Sequence, residues 1–218
     1  RGRLDGFSVL ANGPSLTAVA RALSSDGERP VRLGVHLNLT HGRPIAKGEA
    51  LPAIVRNGRF FLGFGGLMRL HLARNRAERS ALAEQIELEW RAQIAEVRRA
   101  CAPRPLCVLD SHVHVHMLPF LFPMAARLAR ENAIDEIRIS SEPLHISPQR
   151  GEETPRSFAI GTLKLMTLRN MAARARRTAE LEGLAYPDAF VGVLHSGRMT
   201  AGSALAGVEA AEKAGARR

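Results

Sequence analysis

Apolar residues recur along the chain at two periods, about 2 and about 3.6, and the two kinds of segment alternate, as strand and helix units of an α/β fold do. Phe7 to Leu10 reads as a strand and Asn12-Gly13-Pro14 as a turn. Ser15 can cap a helix from Leu16 to Leu23, which Gly27 and Pro30 break. Val31, Leu33, Val35, Leu37 and Leu39 then alternate with Arg32, Gly34, His36, Asn38 and Thr40, predicting a strand with one apolar and one polar face. From Gly42 to Gly66 the pattern is irregular and broken by glycine and proline, which predicts a long loop or lid.

Asn75 followed by Glu78 forms a capping-box pattern, and Leu82, Ile86, Trp90, Ile94 and Val97 repeat at helical spacing through to about Ala100. Pro103 and Pro105 end that helix and lead into Leu106 to Val115, the second strong strand. Phe120 to Asn132 reads as a helix, Glu136 to Ile139 as a short strand and Leu163 to Glu182 as a basic amphipathic helix. Phe190 to Leu194 reads as a last strand and Ala204 to Ala214 as a final helix. No repeat or internal boundary stands out, so the expected architecture is a single α/β domain over residues 1–218.

Composition narrows the class. A chain of 218 residues with 45% hydrophobic content can bury a full core, which argues against disorder. Cys101 and Cys107 flank a proline turn at a spacing that suits neither a redox nor a zinc pair, and read as free thiols of a reducing cytosol. No apolar run reaches about 18 residues, and Arg1-Gly2-Arg3-Leu4-Asp5 lacks the apolar stretch of a secretory signal, so a soluble cytoplasmic protein is expected.

The formal charge of +10 invites a nucleic-acid or membrane reading. Its excess is mostly arginine spread over several segments, with no aromatic platform beside it, so no nucleic-acid partner is expected. One segment keeps a membrane-surface contact open: Leu163, Leu165, Met166, Leu168, Met171 and Ala175 interleave with Lys164, Arg169, Arg174, Arg176 and Arg177.

The chemistry concentrates in Asp110, His112, His114 and His116, which recur every second residue. In an extended strand all four share one face, and burying them there requires a metal or a strong hydrogen-bond network. A surface strand with solvent-facing histidines is the plain alternative. Mixed histidine and carboxylate sites suit zinc, cobalt, manganese, iron or, less comfortably, magnesium. His36 lies on the polar face of the other strong strand; alone it would read as structural, but parallel strands bring their C-terminal ends to one face. Two other classes stay open at this point. Amidohydrolases and phosphoesterases also carry His-x-His on a barrel strand, and a non-catalytic basic module would bind a membrane surface.

Two blocks, Gly34-Val35-His36-Leu37-Asn38-Leu39-Thr40-His41-Gly42-Arg43-Pro44 and Leu109-Asp110-Ser111-His112-Val113-His114-Val115-His116-Met117-Leu118-Pro119, resemble the signature blocks of the YdjC-type carbohydrate deacetylases in order and separation. Ile137-Arg138-Ile139 with Glu142-Pro143, and the segment Phe190 to Thr200, resemble the hopanoid-associated branch in particular. The resemblance implies an irregular (β/α) barrel and one divalent metal ion, magnesium or zinc, held by an aspartate and two histidines. The two histidines fall on His36 and His112; Asp110, His114, His116 and Arg138 become groups that orient those ligands or face the substrate.

The implied reaction is hydrolysis of the N-acetyl group of an acetylated amino sugar, free or lipid-linked, by a homodimeric enzyme with a carboxylate base and a histidine acid. The chain shows neither the family's opening Asp-Asp-Phe-Gly block nor its late His-Pro block, so the resemblance also implies a fold incomplete at both ends and an impaired activity. His195 is a weak substitute for the acid.

Overall fold

A computed structural model describes residues 5–25, 31–145 and 155–216. The helix break ascribed to Gly27 and Pro30 and the opening Arg1 to Leu4 lie outside the described residues. The fold is α/β. Four parallel strands, β1 (Gly6–Val9), β2 (Arg32–Leu37), β5 (Leu106–Ser111) and β6 (Glu136–Ile137), lie side by side in the order in which the chain makes them. Helices connect them: α1 (Leu16–Ser25) joins β1 to β2, α2 (Phe64–Leu72) and α3 (Arg76–Cys101) precede β5, and α4 (Phe122–Glu131) joins β5 to β6. After α5 (Pro155–Leu181), Ala185 makes a parallel bridge to Glu136, carrying the same order one unit further. Sequential parallel neighbours with helical crossovers are the wall pattern of a (β/α) barrel.

The alternation in β2 is realised as the pattern requires. Leu33, Val35, Leu37 and Leu39 are at most 1% exposed, which leaves Gly34 and His36 on the opposite face. α3 begins at the Asn75–Glu78 capping box and buries Leu82, Ile86, Trp90, Ile94 and Val97. α6 (Ala201–Lys213) starts three residues before its expected position, because Thr200 and Ser203 form a second capping box.

Several expectations are corrected. The stretch 42–66 contains a short hairpin, β3 (Val55–Arg56) with β4 (Arg59–Phe60), and the start of α2, which the glycines at 63, 65 and 66 hid. Glycine lowers intrinsic helix propensity by about 1 kcal/mol per residue, but burial of Leu67 fixes the helix through tertiary packing. α5 begins at Pro155, before its expected start. Phe190 to Leu194 is not a strand: its Phe190 N–H donates to Ser141 O at 2.9 Å, and the chain then turns at 194–197.

The apolar residues assigned to a membrane-facing stripe of α5 divide. Leu165, Leu168 and Ala175 are at most 3% exposed and pack inward, while Leu163 and Met166 face outward. Among the described residues no helix is long and apolar enough to cross a membrane.

The largest correction concerns the histidine strand. β5 ends at Ser111, and His112 to Met117 form two successive 3-10 turns in which Val113 (φ 44°, ψ 28°) and His114 (φ 61°, ψ 26°) are left-handed. The acidic and imidazole side chains therefore do not line up on one strand face. Each is aimed separately by the turns.

Candidate metal and active site

The site is built at the C-terminal ends of β2, β5 and β6. His36 sits opposite Asp110 in the β2–β5 register, so their side chains leave the same face. Asp110 is 2% exposed and has three donors. His36 Nδ1–H donates to Oδ1 at 2.6 Å, Ser8 Oγ–H donates to Oδ2 at 2.9 Å, and the Arg138 guanidinium pairs with Oδ2. A carboxylate holding Nδ1–H fixes the tautomer, so the lone pair of His36 is on Nε2.

Ser8 belongs to β1, and its hydroxyl reaches Asp110 across the intervening strand. It can do so because position 34 is glycine: a Cβ there would stand 3.1 Å from Ser8 Cβ and 2.9 Å from Val108 O. Ser8 was not singled out in the sequence. The available signal was its register opposite Gly34, which only the paired sheet reveals.

The left-handed turn brings His112 back toward β2. Left-handed conformation costs an L-residue about 1–2 kcal/mol, and valine is among the residues least suited to it. The turn is held by side chains. Ser111 Oγ donates to His116 Nδ1 at 2.5 Å and accepts the His116 backbone N–H at 3.0 Å, while His116 Nε2–H donates to Arg138 O at 2.7 Å. His114 Nδ1 hydrogen-bonds Ser140 Oγ at 2.8 Å.

His112 then lies edge-on to His36, with ring centroids 5.7 Å apart, and to His41 at 4.8 Å. His41, in the sequence block but given no role there, is presented by a turn after β2. Asn38 Oδ1 accepts the N–H groups of Thr40 (2.9 Å) and His41 (3.2 Å), and Asn38 Nδ2 donates to His41 O at 2.7 Å. Gln93 of α3 grips the Asn38 backbone at both its N–H (2.8 Å) and its carbonyl (2.6 Å).

The four imidazoles are electrostatically alike. Burial, reinforced by the charge of Arg138, lowers the His36 pKa to about 4. Burial first, then His116, His36, Lys164 and His112, lower His114 to about 3, and burial lowers His116 to about 4. Burial, then His36 and His41, lowers His112. At neutral pH these rings are uncharged, the state in which imidazole ligates a metal.

The donor set fits a divalent ion at two positions. His36 and His112 are neutral and adjacent, and His36 has the carboxylate partner that orients ligating histidines. Among the described residues no group of three or more His, Cys, Asp or Glu is arranged to hold an ion.

Of the other candidates, His116 is 0% exposed and braces the turn. Arg138 joins Asp110 through its side chain and lies over the Phe190 ring at 4.9 Å. His114 lines a cavity of about 420 Å³, beside His41, Phe64, Val113, Leu163 and Lys164. His195 is buried elsewhere, its ring 5.1 Å from that of His145. There Glu142 accepts the Val193 and Leu194 N–H groups at 2.5 and 3.0 Å, tying down the turn whose Val193 and Ser196 form one wall of the cavity.

A carbohydrate deacetylase of Mus musculus is 30% identical over 199 residues, covering 90% of this chain and 59% of that protein. The chain thus spans about 59% of the length of this curated relative. The model of the YdjC-like protein family matches residues 1–216, and the chain belongs to that family.

Proposed function

We propose that this chain carries a metal-dependent N-deacetylase site acting on an acetylated amino sugar. The observation that carries the reading is the pairing of His36 with Asp110, beside an uncharged His112. The family and the mouse carbohydrate deacetylase support the reaction class. A divalent ion, zinc or magnesium, held by His36 Nε2 and His112, would supply the Lewis acidity that polarises an acetamide carbonyl and activates water. The chain's own residues do the rest that this reading needs. Asp110 orients His36 and stabilises its Nδ1–H, Arg138 and Ser8 hold Asp110 in place, and burial keeps His112 and His114 uncharged at neutral pH.

The cavity beside His41 and His114 supports an amphipathic substrate within this reading. Phe64, Val113, Leu163 and Leu168 make its walls predominantly apolar, whereas a sugar alone is held by hydrogen-bonding groups. A lipid-linked acetylated amino sugar, handled on the cytoplasmic side, fits that lining.

The test is calorimetric titration of zinc and cobalt into metal-free protein, with His112→Ala as control, followed by acetate release from N-acetylated amino sugars. Sub-micromolar binding lost in the variant, with acetate released only by the metal-loaded protein, supports the reading. Specific binding unaffected by His112→Ala, or phosphate release from a sugar phosphate with no acetate from an acetylated sugar, sinks it.

A further inference from the structure

We infer that His116 is a positioning residue that sets the separation of His36 and His112 by latching the strained turn that begins at His112; this rests on the metal-site reading above. The turn carries two consecutive left-handed residues, neither of them glycine. Such conformations persist only where the surroundings over-determine them. Here they are enclosed by a short loop that His116 closes. Its Nδ1 and backbone N–H both engage Ser111 Oγ, five residues back at the end of β5, so Val113 and His114 are confined between two fixed points.

The other ring nitrogen reaches Arg138 O on the segment after β6. Arg138 is also the residue whose guanidinium holds Asp110, which in turn holds His36. One residue therefore registers both imidazoles: its carbonyl fixes the turn that aims His112, and its side chain fixes the carboxylate that aims His36. The His116 ring is wholly buried with both nitrogens bonded and its centroid 6.1 Å from that of Phe122. Its chemistry is spent on geometry.

The experiment compares zinc affinity and thermal unfolding of the parent with His116→Gln, His116→Phe, Val113→Gly and the double variant His116→Phe/Val113→Gly. His116→Phe is expected to weaken zinc binding about 10- to 100-fold, the range for loss of groups that orient ligands. His116→Gln, which keeps a donor toward Arg138 O, should retain more affinity, and guards against a phenylalanine variant that fails to fold. Measured against Val113→Gly alone, the double variant should lose much less affinity than His116→Phe loses against the parent, because glycine adopts the left-handed turn without the latch.

Unchanged zinc affinity in folded His116→Gln and His116→Phe, with only a lowered Tm, overturns the inference, as does a failure of Val113→Gly to rescue. If the parent itself binds no zinc, the metal reading falls, and the latch is decided by Tm alone. A larger gain from Val113→Gly in the His116→Phe background than in the parent supports it, and additive effects overturn it.

Discussion

His36 Nδ1 lies 2.6 Å from Asp110 Oδ1, and the two residues are register partners on adjacent parallel strands. A histidine so held offers its other nitrogen in a fixed direction, which a solvent-facing strand histidine does not. The first expectation follows from it. Asp110→Asn keeps the shape but weakens the acceptor for Nδ1–H and leaves Arg138 without its carboxylate, so zinc affinity should fall by about 10- to 100-fold. Calorimetry measures this directly; affinity equal to the parent's would mean that Asp110 does not orient a ligand.

Acidification should destabilise the metal-free fold well above the usual carboxylate range. The unfolded chain protonates His116 near 6.5, whereas the folded chain does so only at about 4. Because the folded pKa is the lower one, the unfolded state binds more protons between these values. Stability is then complete above pH 6.5 and declines as pH falls, by up to about 1.4 kcal/mol per pH unit from this ring. His36 and His114 act with the same sign. Urea unfolding at pH 7.5, 6 and 5 reads the slope, which should flatten in His116→Phe; a stability independent of pH over that range contradicts the assignment.

Gln93→Ala removes the partners of both backbone groups of Asn38, each of which is buried. An unsatisfied buried polar group costs about 1–3 kcal/mol, so for the two groups a loss of about 2–6 kcal/mol is expected from the urea midpoint. The turn presenting His41 loosens with it. A shift below about 0.5 kcal/mol would show that water replaces the amide.

Leu163→Asp puts a charge on the apolar side of the cavity lined by Val113 and His114. With an octyl N-acetylglucosaminide the specificity constant kcat/KM should drop roughly tenfold, in keeping with the loss of about two buried methylenes at about 0.8 kcal/mol each. With the methyl glycoside it should hardly move. Equal losses on both would assign Leu163 to the fold rather than to the substrate.

The periodic parts of the fold were legible in the sequence. β2, α3 and α4 follow from alternation, a capping box and helical spacing, because their burial is one-sided and regular. The proximity of His36 to His112 also follows once two parallel strands are placed together, and the family resemblance named both. The left-handed turn after Ser111 was not legible. Every second residue from Asp110 to His116 reads as a strand, and no glycine marks Val113 or His114 as left-handed. The conformation is imposed by His116, whose partner Arg138 O lies 22 residues away. α2 was hidden for the opposite reason, since glycines signalled a loop where packing of Leu67 makes a helix.

The polar residues within the core were similarly silent. Glu89 and Gln93 sit on the buried face of α3 and break its apolar stripe, and their purpose appears only against the loop they hold. Glu89 accepts the Ile45 and Ala46 N–H groups at 3.0 and 2.9 Å. Side chains that serve another segment's backbone leave no periodic trace in their own.

Gly34 extends that lesson to something the chain lacks. Its bare backbone is the gap through which Ser8 touches Asp110, so three strands share one ionic centre instead of two. A survey that ranks positions by what their side chains contribute would score it at nothing. Yet one added methyl would wedge the first strand away from the third and strand Ser8 without its acceptor, and an engineer seeking to graft this centre onto another sheet would have to transplant the vacancy along with the residues.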